Sequence, residues 1–365
     1  MMGKLPKWAD YALIPFLNVM LAFFVSGLVV WFIGENPIEA MMIMLKGSLG
    51  SPRAIGYTLY YATNFIFTGL AVAVAFHARM FNIGGEGQAG VAGLGVALVC
   101  LYVDWPHWSI ALPVAMIGAA LFAGIWAAVP AYLQSKRGSH IVITTIMFNY
   151  IAAALLVYML VNVIKDPGSM APQTKGFVPG AALPTGKEML GWFGIDFPRS
   201  PVNISLLVAI AACFGTWILI WKSRLGYEIR ALGHSESAAV YAGISPFKIV
   251  MISMTISGSL AGMMAINTVM GEGKRLVLDP VEGAGFIGIA VALIGRSHPL
   301  GVFLAAILFG MLYQGGFDLS FDMPAVSREM ILVIQALVIL FTGALENLVR
   351  VPVTRMFQRL SRGSV

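Results

Sequence analysis

The chain has 365 residues, of which 59% are hydrophobic and only 11% charged, and its mean hydropathy is +0.84. Soluble domains average about 25% charged residues, so this composition excludes a soluble globular protein. The net charge of +6 is not gathered into a basic patch with interleaved aromatic residues, which excludes a nucleic-acid partner. The two cysteines stand singly in apolar runs, which excludes a disulfide framework.

Apolar runs of about 20 residues recur along the chain with short polar breaks, the pattern of membrane-spanning helices. They predict an all-α polytopic membrane protein with one domain over residues 1–365. Spans two to five and spans seven to ten start from opposite sides of the membrane, which predicts an inverted repeat. The ten predicted spans are residues 11–34, 56–76, 82–103, 109–133, 141–163, 204–221, 247–270, 281–294, 299–315 and 329–347.

The distribution of charge between the spans predicts their orientation. An even number of spans puts both termini on one side of the membrane. If that side is the cytoplasm, 14 of the 23 Lys and Arg residues lie inside and 12 of the 17 Asp and Glu residues lie outside. Because cytoplasmic loops carry the excess of basic residues, we predict a protein of the cell (inner) membrane with both termini in the cytoplasm. The terminal basic residues are Lys4, Lys7, Arg359 and Arg362.

Three segments depart from a plain series of spans. Residues 164–203 form a long extracytoplasmic insertion that is rich in proline and glycine. Residues 222–246 form a cytoplasmic loop, in which residues 236–241 are predicted to be a short helix. The span at residues 281–294 is short and interrupted by glycines, which predicts a broken or re-entrant helix.

The most distinctive string is FNIGGEGQAGVAGLG at residues 81–95, where Glu86 stands near the cytoplasmic start of a span. A carboxylate inside the bilayer costs about 2.5–3.5 kcal/mol on insertion scales, so Glu86 is predicted to face protein, water or a partner. The alternative is that Glu86 caps backbone N–H groups at the N-terminus of its own span. The surrounding glycines, and Gly258 and Gly262 further along, are predicted to let helices pack closely.

Polar side chains inside the spans are the candidates for a solute path, because an unsatisfied polar group is costly in hydrocarbon. They include no mid-membrane pair of ionisable groups, which argues against an ion-coupled symporter. The candidates are Asn64, Asn82, Glu86, Gln88, Thr145, Asn149, Asn267 and Gln314.

Two strings approach catalytic motifs without meeting them. GAALPTGKE at residues 180–188 has one residue too many for a phosphate-binding loop, and Glu188 stands where a Ser or Thr should bind magnesium. GHSES at residues 233–237 ends in Ser where a nucleophile elbow ends in Gly. The five histidines show no metal-ligand spacing. We therefore expect a chain with no catalytic residue, metal or bound cofactor.

Four strings, taken in order, resemble the permease subunits of ABC importers for simple sugars and nucleosides. The insertion at residues 164–203 makes the resemblance strongest to the longer of the two nucleoside-type permeases. The strings are FNIGGEGQ at 81–88, TTIMFNYIA at 144–152, GYEIRALGHSESAAVYAGIS at 226–245 and GFIGIAVALIGRSHPLG at 285–301.

This resemblance implies a division of labour among several subunits. Separate cytoplasmic ATPase subunits would use ATP and magnesium, and an extracytoplasmic binding protein would deliver solute. A second permease subunit would complete the pore in the bilayer, as a heterodimer or a homodimer. The loop at residues 222–246 would couple to the ATPase, with small side chains seated in a groove and Tyr241 as anchor. The residues assigned to this coupling are Arg230, Gly233, Glu236, Ala239, Tyr241 and Gly243.

The function expected from the sequence is nucleoside import, with simple sugars as the nearest alternative. Outside that class, the alternatives are an ion-coupled secondary transporter and a membrane enzyme such as a lipid-modifying transferase. The first requires a buried titratable pair, and the second requires clustered acid, base or metal ligands at one interface. The sequence contains neither pattern. The alternative for the loop at residues 222–246 is a solvated amphipathic segment.

Overall fold

The computed structural model describes residue 9, residues 13–341 and residues 349–356. The predictions for Lys4, Lys7, Arg359 and Arg362 lie outside the described residues. So do residues 11–12 of the first predicted span and residues 342–347 of the last. Within the described ranges the chain is helical, as predicted, and its β-pairing is limited to two isolated bridges, between Gln173 and Val277 and between Thr185 and Asn203.

The helices carry the following bounds. In chain order they are α1 (Ile14–Phe32), α2 (Pro37–Leu49), α3 (Pro52–His77), α4 (Gly85–Tyr102), α5 (Trp108–Arg137), α6 (Ile141–Tyr158), α7 (Gly186–Gly191), α8 (Ser205–Trp217), α9 (Arg224–His234), α10 (Glu236–Tyr241), α11 (Pro246–Gly262), α12 (Ala284–Ile294), α13 (Pro299–Asp322) and α14 (Arg328–Ile339). After α6, α8 and α11 come π-helical turns at Met159–Val163, Ile218–Lys222 and Ile266–Gly273.

Eight helices in the described part of the chain are long and apolar enough to cross a membrane. They correspond to predicted spans one to seven and nine. At the eighth predicted span, α12 has 11 residues. Such a helix is roughly 16 Å long, too short for a hydrocarbon layer of about 30 Å, which agrees with the predicted broken or re-entrant helix. At the tenth, α14 has 12 residues, and residues 342–348 lie outside the described ranges.

Three helices outside the spans were not predicted: α2, α7 and α9. Helix α2 begins at Pro37, directly after Asn36, whose side chain accepts the N–H groups of Ile38 and Glu39. Asn at the N-cap and Pro at the first helical position are the usual start signals of a helix, but 13 residues give no span-length apolar run. Helix α9 starts in the same way, because the Ser223 hydroxyl accepts the N–H of Gly226.

The chain divides into two units, residues 52–310 and residues 1–51 with 311–365. In the second of these, α1, α2, α14 and the C-terminal part of α13 contribute to one apolar core. Its buried members are Val30, Ala40, Leu319, Met323, Val326, Ile331 and Ile334.

The larger unit, residues 52–310, is held together by close contacts between small residues. Helix α5 carries alanine at every fourth position, which places these side chains on one face. A Cβ on Gly262 of α11 would lie 2.6 Å from the Cβ of Ala123, and one on Gly258 would overlap that of Ala127. The packing role predicted for the two glycines is therefore confirmed. The fully buried alanines of α5 are Ala111, Ala115, Ala119, Ala123, Ala127 and Ala131.

Helix α3 is the central helix of this unit. Residues 62–75 are all buried, so the helix has no solvent-facing or lipid-facing side over four turns. A helix that is buried all round belongs to the core of a larger protein. Any polar side chain on this stretch must therefore find its partner within the protein.

Candidate functional site

Two helices of the larger unit begin at the same place. The chain leaves α3 after His77 and has no helical residue from 78 to 84, and α12 starts directly after Gly283, whose φ is +81°. A Cβ on Gly85 would lie 3.4 Å from the carbonyl oxygen of Gly285, and a Cβ on Gly285 would overlap the backbone of Gly85 and Glu86. Only glycine permits this approach, so the N-termini of α4 and α12 meet.

The carboxylate of Glu86 lies at this meeting point. Its Oε1 accepts the N–H of Gly283 at 2.8 Å, and its Oε2 accepts the N–H of Gly285 at 2.9 Å. Helix N-termini leave N–H groups without intrahelical acceptors and carry partial positive charge. Glu86 supplies acceptors for the N–H groups at the start of α12 and places a negative charge beside its positive end. The alternative prediction, that Glu86 caps the N-terminus of its own span, is therefore wrong. The N–H groups that it accepts belong to the start of α12, almost 200 residues away in the sequence.

The N-terminus of α4 is capped by two asparagines. Asn82 Oδ1 accepts the N–H of Gly84, and Asn149 Oδ1, from α6, accepts the N–H of Gly87, each at 2.9 Å. Asn149 Nδ2 also donates to the carbonyl of Ile83 at 3.0 Å. The non-helical turn before α4 is thus held from both sides by side-chain amides.

The bonds of Asn82 extend to Gln88 and Ser257. We call Asn82, Gln88, Asn149 and Ser257 the first network. Asn82 Nδ2 donates to Gln88 Oε1 and to Ser257 Oγ, both at 2.9 Å. Ser257, on α11, in turn donates to the carbonyl of Ala71 on α3 at 2.6 Å. Together with Asn149, these bonds join α3, α4, α6 and α11 at one buried point, next to the side chain of Thr145, which donates to the carbonyl of Ile141 on its own helix.

A second buried network surrounds Asn267. Its Nδ2 donates to Asn64 Oδ1 at 2.7 Å and to the carbonyl of Tyr60 at 3.0 Å. Its Oδ1 accepts bonds from Asn203 Nδ2 and Ser205 Oγ, both at 2.8 Å. Asn203 and Ser205 are not among the predicted path residues, because Asn203 precedes the sixth predicted span and Ser205 is the second residue of that span, where a polar side chain is expected at the membrane surface.

The structure therefore gathers most of the predicted path residues but gives their polar groups partners within the chain. Asn82, Glu86, Gln88, Thr145 and Asn149 lie around the start of α4, and Asn64 bonds to Asn267. Gln314 belongs to the other unit, where its Nε2 donates to Asp318 Oδ1 at 3.2 Å. Contact of these residues with solute stays a prediction.

A cavity of about 330 Å³ adjoins the first network. It lies between α4, α6 and residues 278–281, and its polar lining comes from Glu86, Asn149 and Asp279. Small-molecule sites usually have volumes of about 300–1,000 Å³ and a few polar groups in an apolar surface. The cavity therefore has the size and lining of a solute site.

Comparison with known proteins now decides the family. Residues 54–343 match the family described as branched-chain amino acid transport system / permease component. The chain belongs to this permease family. It is a multi-pass membrane transport subunit and not an enzyme, as the sequence predicted.

Three relatives align with the permease over nearly its whole length. The guanosine ABC transporter permease protein NupP of Bacillus subtilis is 33% identical over 93% of this chain and 94% of its own. The nucleoside ABC transporter permease protein NupB of Lactococcus lactis is 32% identical over 90% of each chain. A glucose ABC transporter permease protein of Haloferax volcanii is 31% identical over 97% of this chain and 92% of its own. No solved structure matches the permease.

The loop at residues 222–246 of the permease folds into α9 and α10, and the predicted helix at residues 236–241 is present. Ala239 is only 2% exposed and packs into a core of this chain. A Cβ on Gly233 would overlap the carbonyl oxygen of His77. The assignment of Ala239 and Gly233 to the surface that meets an ATPase is therefore corrected, because both residues hold the loop against the permease itself.

The other residues of the coupling assignment are placed differently. Tyr241 is 97% exposed, and Glu236 is exposed beside it. Gly243 has a φ of +79°, and the N–H of Ile244 donates to the carbonyl of Ala239 at 2.9 Å, so Gly243 ends α10 in the left-handed conformation typical of a helix C-terminus. Arg230 Nε donates to the carbonyl of Gly226 on its own helix.

The hydrogen bonds around Asn267 predict how replacing this residue changes the stability of the permease. Asn267→Leu replaces the amide with an apolar side chain of similar size and removes its bonds to Asn64 Oδ1 and Ser205 Oγ. Each unsatisfied buried group costs about 1–3 kcal/mol, so the variant should unfold at a clearly lower temperature than the parent protein in thermal denaturation. The control Asn162→Leu, at an exposed position of the turn after α6, should change stability by less than about 0.5 kcal/mol. Equal stability of the two variants would contradict the structural role of Asn267.

Proposed function

We propose that this permease is the membrane subunit of an ATP-driven importer and that its solute is a nucleoside. The observation that carries the proposal is the alignment over 93% of the chain with a permease named for guanosine, supported by a second relative named for nucleosides. A glucose permease is nearly as similar, so a simple sugar is the second candidate. The cavity beside Glu86 supports both, because its lining suits a neutral solute with hydroxyl groups.

ATP and magnesium would be used by partner subunits. Glu188, at the position where a phosphate loop needs Ser or Thr, belongs to a capping box: its carboxylate accepts the N–H of Thr185, and its own N–H donates to the Thr185 hydroxyl. This pairing starts α7 and serves a structural purpose. The proposed assembly therefore contains a cytoplasmic ATPase, an extracytoplasmic solute-binding protein and no cofactor on this chain.

A second permease subunit is also part of the proposal. Ala153 and Val157 line the cavity from α6 and are exposed. A cavity that contains a carboxylate is costly to open towards lipid, because charged groups within a membrane face protein or water. A second permease chain, identical or different, would cover this side of α6 and complete a water-filled path.

We also propose that the termini and the loop at residues 222–246 are cytoplasmic, and that residues 164–203 face outward. The excess of basic residues on the cytoplasmic side supports this orientation.

Cysteine labelling tests the orientation. Cys100 and Cys213 are first replaced by serine, and Met170→Cys or Ser237→Cys is then introduced. Met170 is 100% exposed and Ser237 is exposed. An impermeant thiol reagent applied to intact cells should label the cysteine at position 170 and not that at 237; the reverse result would invert the topology.

The exposed end of α10 is the proposed contact with the ATPase. A fully exposed tyrosine on a short cytoplasmic helix is the type of residue that anchors an interface, where truncation of a hot spot costs at least about 2 kcal/mol. Tyr241→Ala should therefore weaken retention of the ATPase about thirtyfold and abolish uptake of labelled guanosine, while the permease remains folded. The control is Tyr102→Ala. Tyr102 is 73% exposed and is the last residue of α4, on the side of the membrane opposite to the proposed ATPase contact.

Co-purification of the ATPase and uptake into cells are measured for both variants. Retention of ATPase and uptake by Tyr241→Ala at the level of Tyr102→Ala would show that energy is not transferred through this loop. Uptake of glucose but not guanosine by the parent importer would favour the second candidate solute.

A further inference from the structure

We infer that the cavity beside Glu86 binds a vicinal diol, the two neighbouring hydroxyl groups that riboses and simple sugars have in common. This inference rests on the proposed function and adds a site and a chemical class to it. The cavity is formed by α4, α6 and residues 278–281.

Glu86 supplies the acceptors. An ionised carboxylate has about four lone-pair positions, and the N–H groups of Gly283 and Gly285 use one on each oxygen. The N–H of Phe286 also acts on this carboxylate, which leaves at least one lone-pair position for a solute. Because both oxygens are fixed by backbone N–H groups, the carboxylate is held in one orientation before the solute arrives. Carboxylates recognise ribose hydroxyls in this way in nucleotide-binding folds.

Asn149 supplies a donor. Its Oδ1 accepts from Gly87, and one Nδ2 hydrogen is used by the carbonyl of Ile83. A side-chain amide has two donor hydrogens, so one remains for the oxygen of a solute. An acceptor on Glu86 and a donor on Asn149 match a pair of hydroxyls, each of which can donate and accept.

The remaining lining is apolar and suits the flat or ring part of the same solute. Leu156, Val157, Pro280 and Val281 form this surface. Asp279, exposed at the edge of the cavity, adds a second carboxylate. Two negative groups repel a phosphate ester, so the site should accept nucleosides and sugars and reject their phosphorylated forms.

The first test changes the chemistry of the carboxylate. The complete importer, with its ATPase and binding protein, is reconstituted in vesicles, and uptake of guanosine is compared with that of 2′,3′-dideoxyguanosine. The affinity of the binding protein for each compound is measured separately and divided out. Glu86→Gln, which keeps the size of the side chain, should lower the preference for guanosine about tenfold, the factor that corresponds to 1.4 kcal/mol.

The second test does not involve the contact between Glu86 and α12. Ala153→Leu fills the cavity, whereas Ala154→Leu makes the same change at the next exposed alanine of α6, which does not line it. Ala153→Leu should lower guanosine uptake at least about tenfold, and Ala154→Leu should transport at the parent rate.

The outcomes separate the inference from the function on which it rests. If the parent importer carries neither guanosine nor glucose, the proposed function and the diol site both fail. If the parent carries guanosine but Glu86→Gln keeps its preference for the diol, or the two alanine variants transport equally, the site alone is refuted. If glucose is the solute, 2,4-dideoxyglucose, which has no pair of neighbouring hydroxyl groups, replaces dideoxyguanosine, and the same results are expected.

Discussion

The larger unit depends on one carboxylate between two helix N-termini. Helices α4 and α12 begin against each other at Gly85 and Gly285, so their partial positive charges and unsatisfied N–H groups fall at one buried place. Two such ends would repel each other in surroundings of low dielectric constant. Glu86 supplies negative charge and two acceptors at this position. The junction of α4 and α12, and the cavity beside it, can exist inside a membrane because this group is present.

The buried side-chain amides also supply hydrogen-bond partners to polar groups that the helices leave unsatisfied. Asn82 and Asn149 accept the N–H groups at the start of α4, and Asn267 joins α3, the start of α8 and the turn after α11. Each amide meets a polar group that would otherwise be unsatisfied where no water is available. The polar residues of the spans thus serve first to fix the path of the chain. Of the polar residues in these two networks and the junction of α4 and α12, Glu86 and Asn149 also line the cavity, which connects folding and solute recognition at one site.

The sequence predicted those features that depend on local pattern. Span-length apolar runs predicted the eight long helices, and the short run with glycines predicted that residues 281–294 are not a full-length span, although α12 runs through Gly285 and Gly288 without a break. The helix at residues 236–241 was also predicted correctly. Helix α2 was missed because it is short and its start signal, Asn36 followed by Pro37, lies outside any long apolar run.

Contacts between distant parts of the chain could not be predicted in this way. Nothing near Glu86 in the sequence indicates that its partners are Gly283 and Gly285. Ala239 was assigned to the exposed face of the loop because small residues suit a partner's groove, but small residues suit internal packing equally well. The pairing of spans two to five with spans seven to ten stays a prediction, although two helices that meet at their N-termini are an arrangement expected of inverted repeats.

Hydrogen exchange at the start of α12 tests the central interaction most directly. The permease and its Glu86→Ala variant are placed in lipid nanodiscs, and deuterium uptake is measured for the peptide that contains Gly283 and Gly285. These amides should be protected in the parent protein and should exchange at least about tenfold faster in the variant, with peptides from α5 unchanged. Equal exchange in both proteins would show that Glu86 does not hold the start of α12 and would contradict the account of the junction.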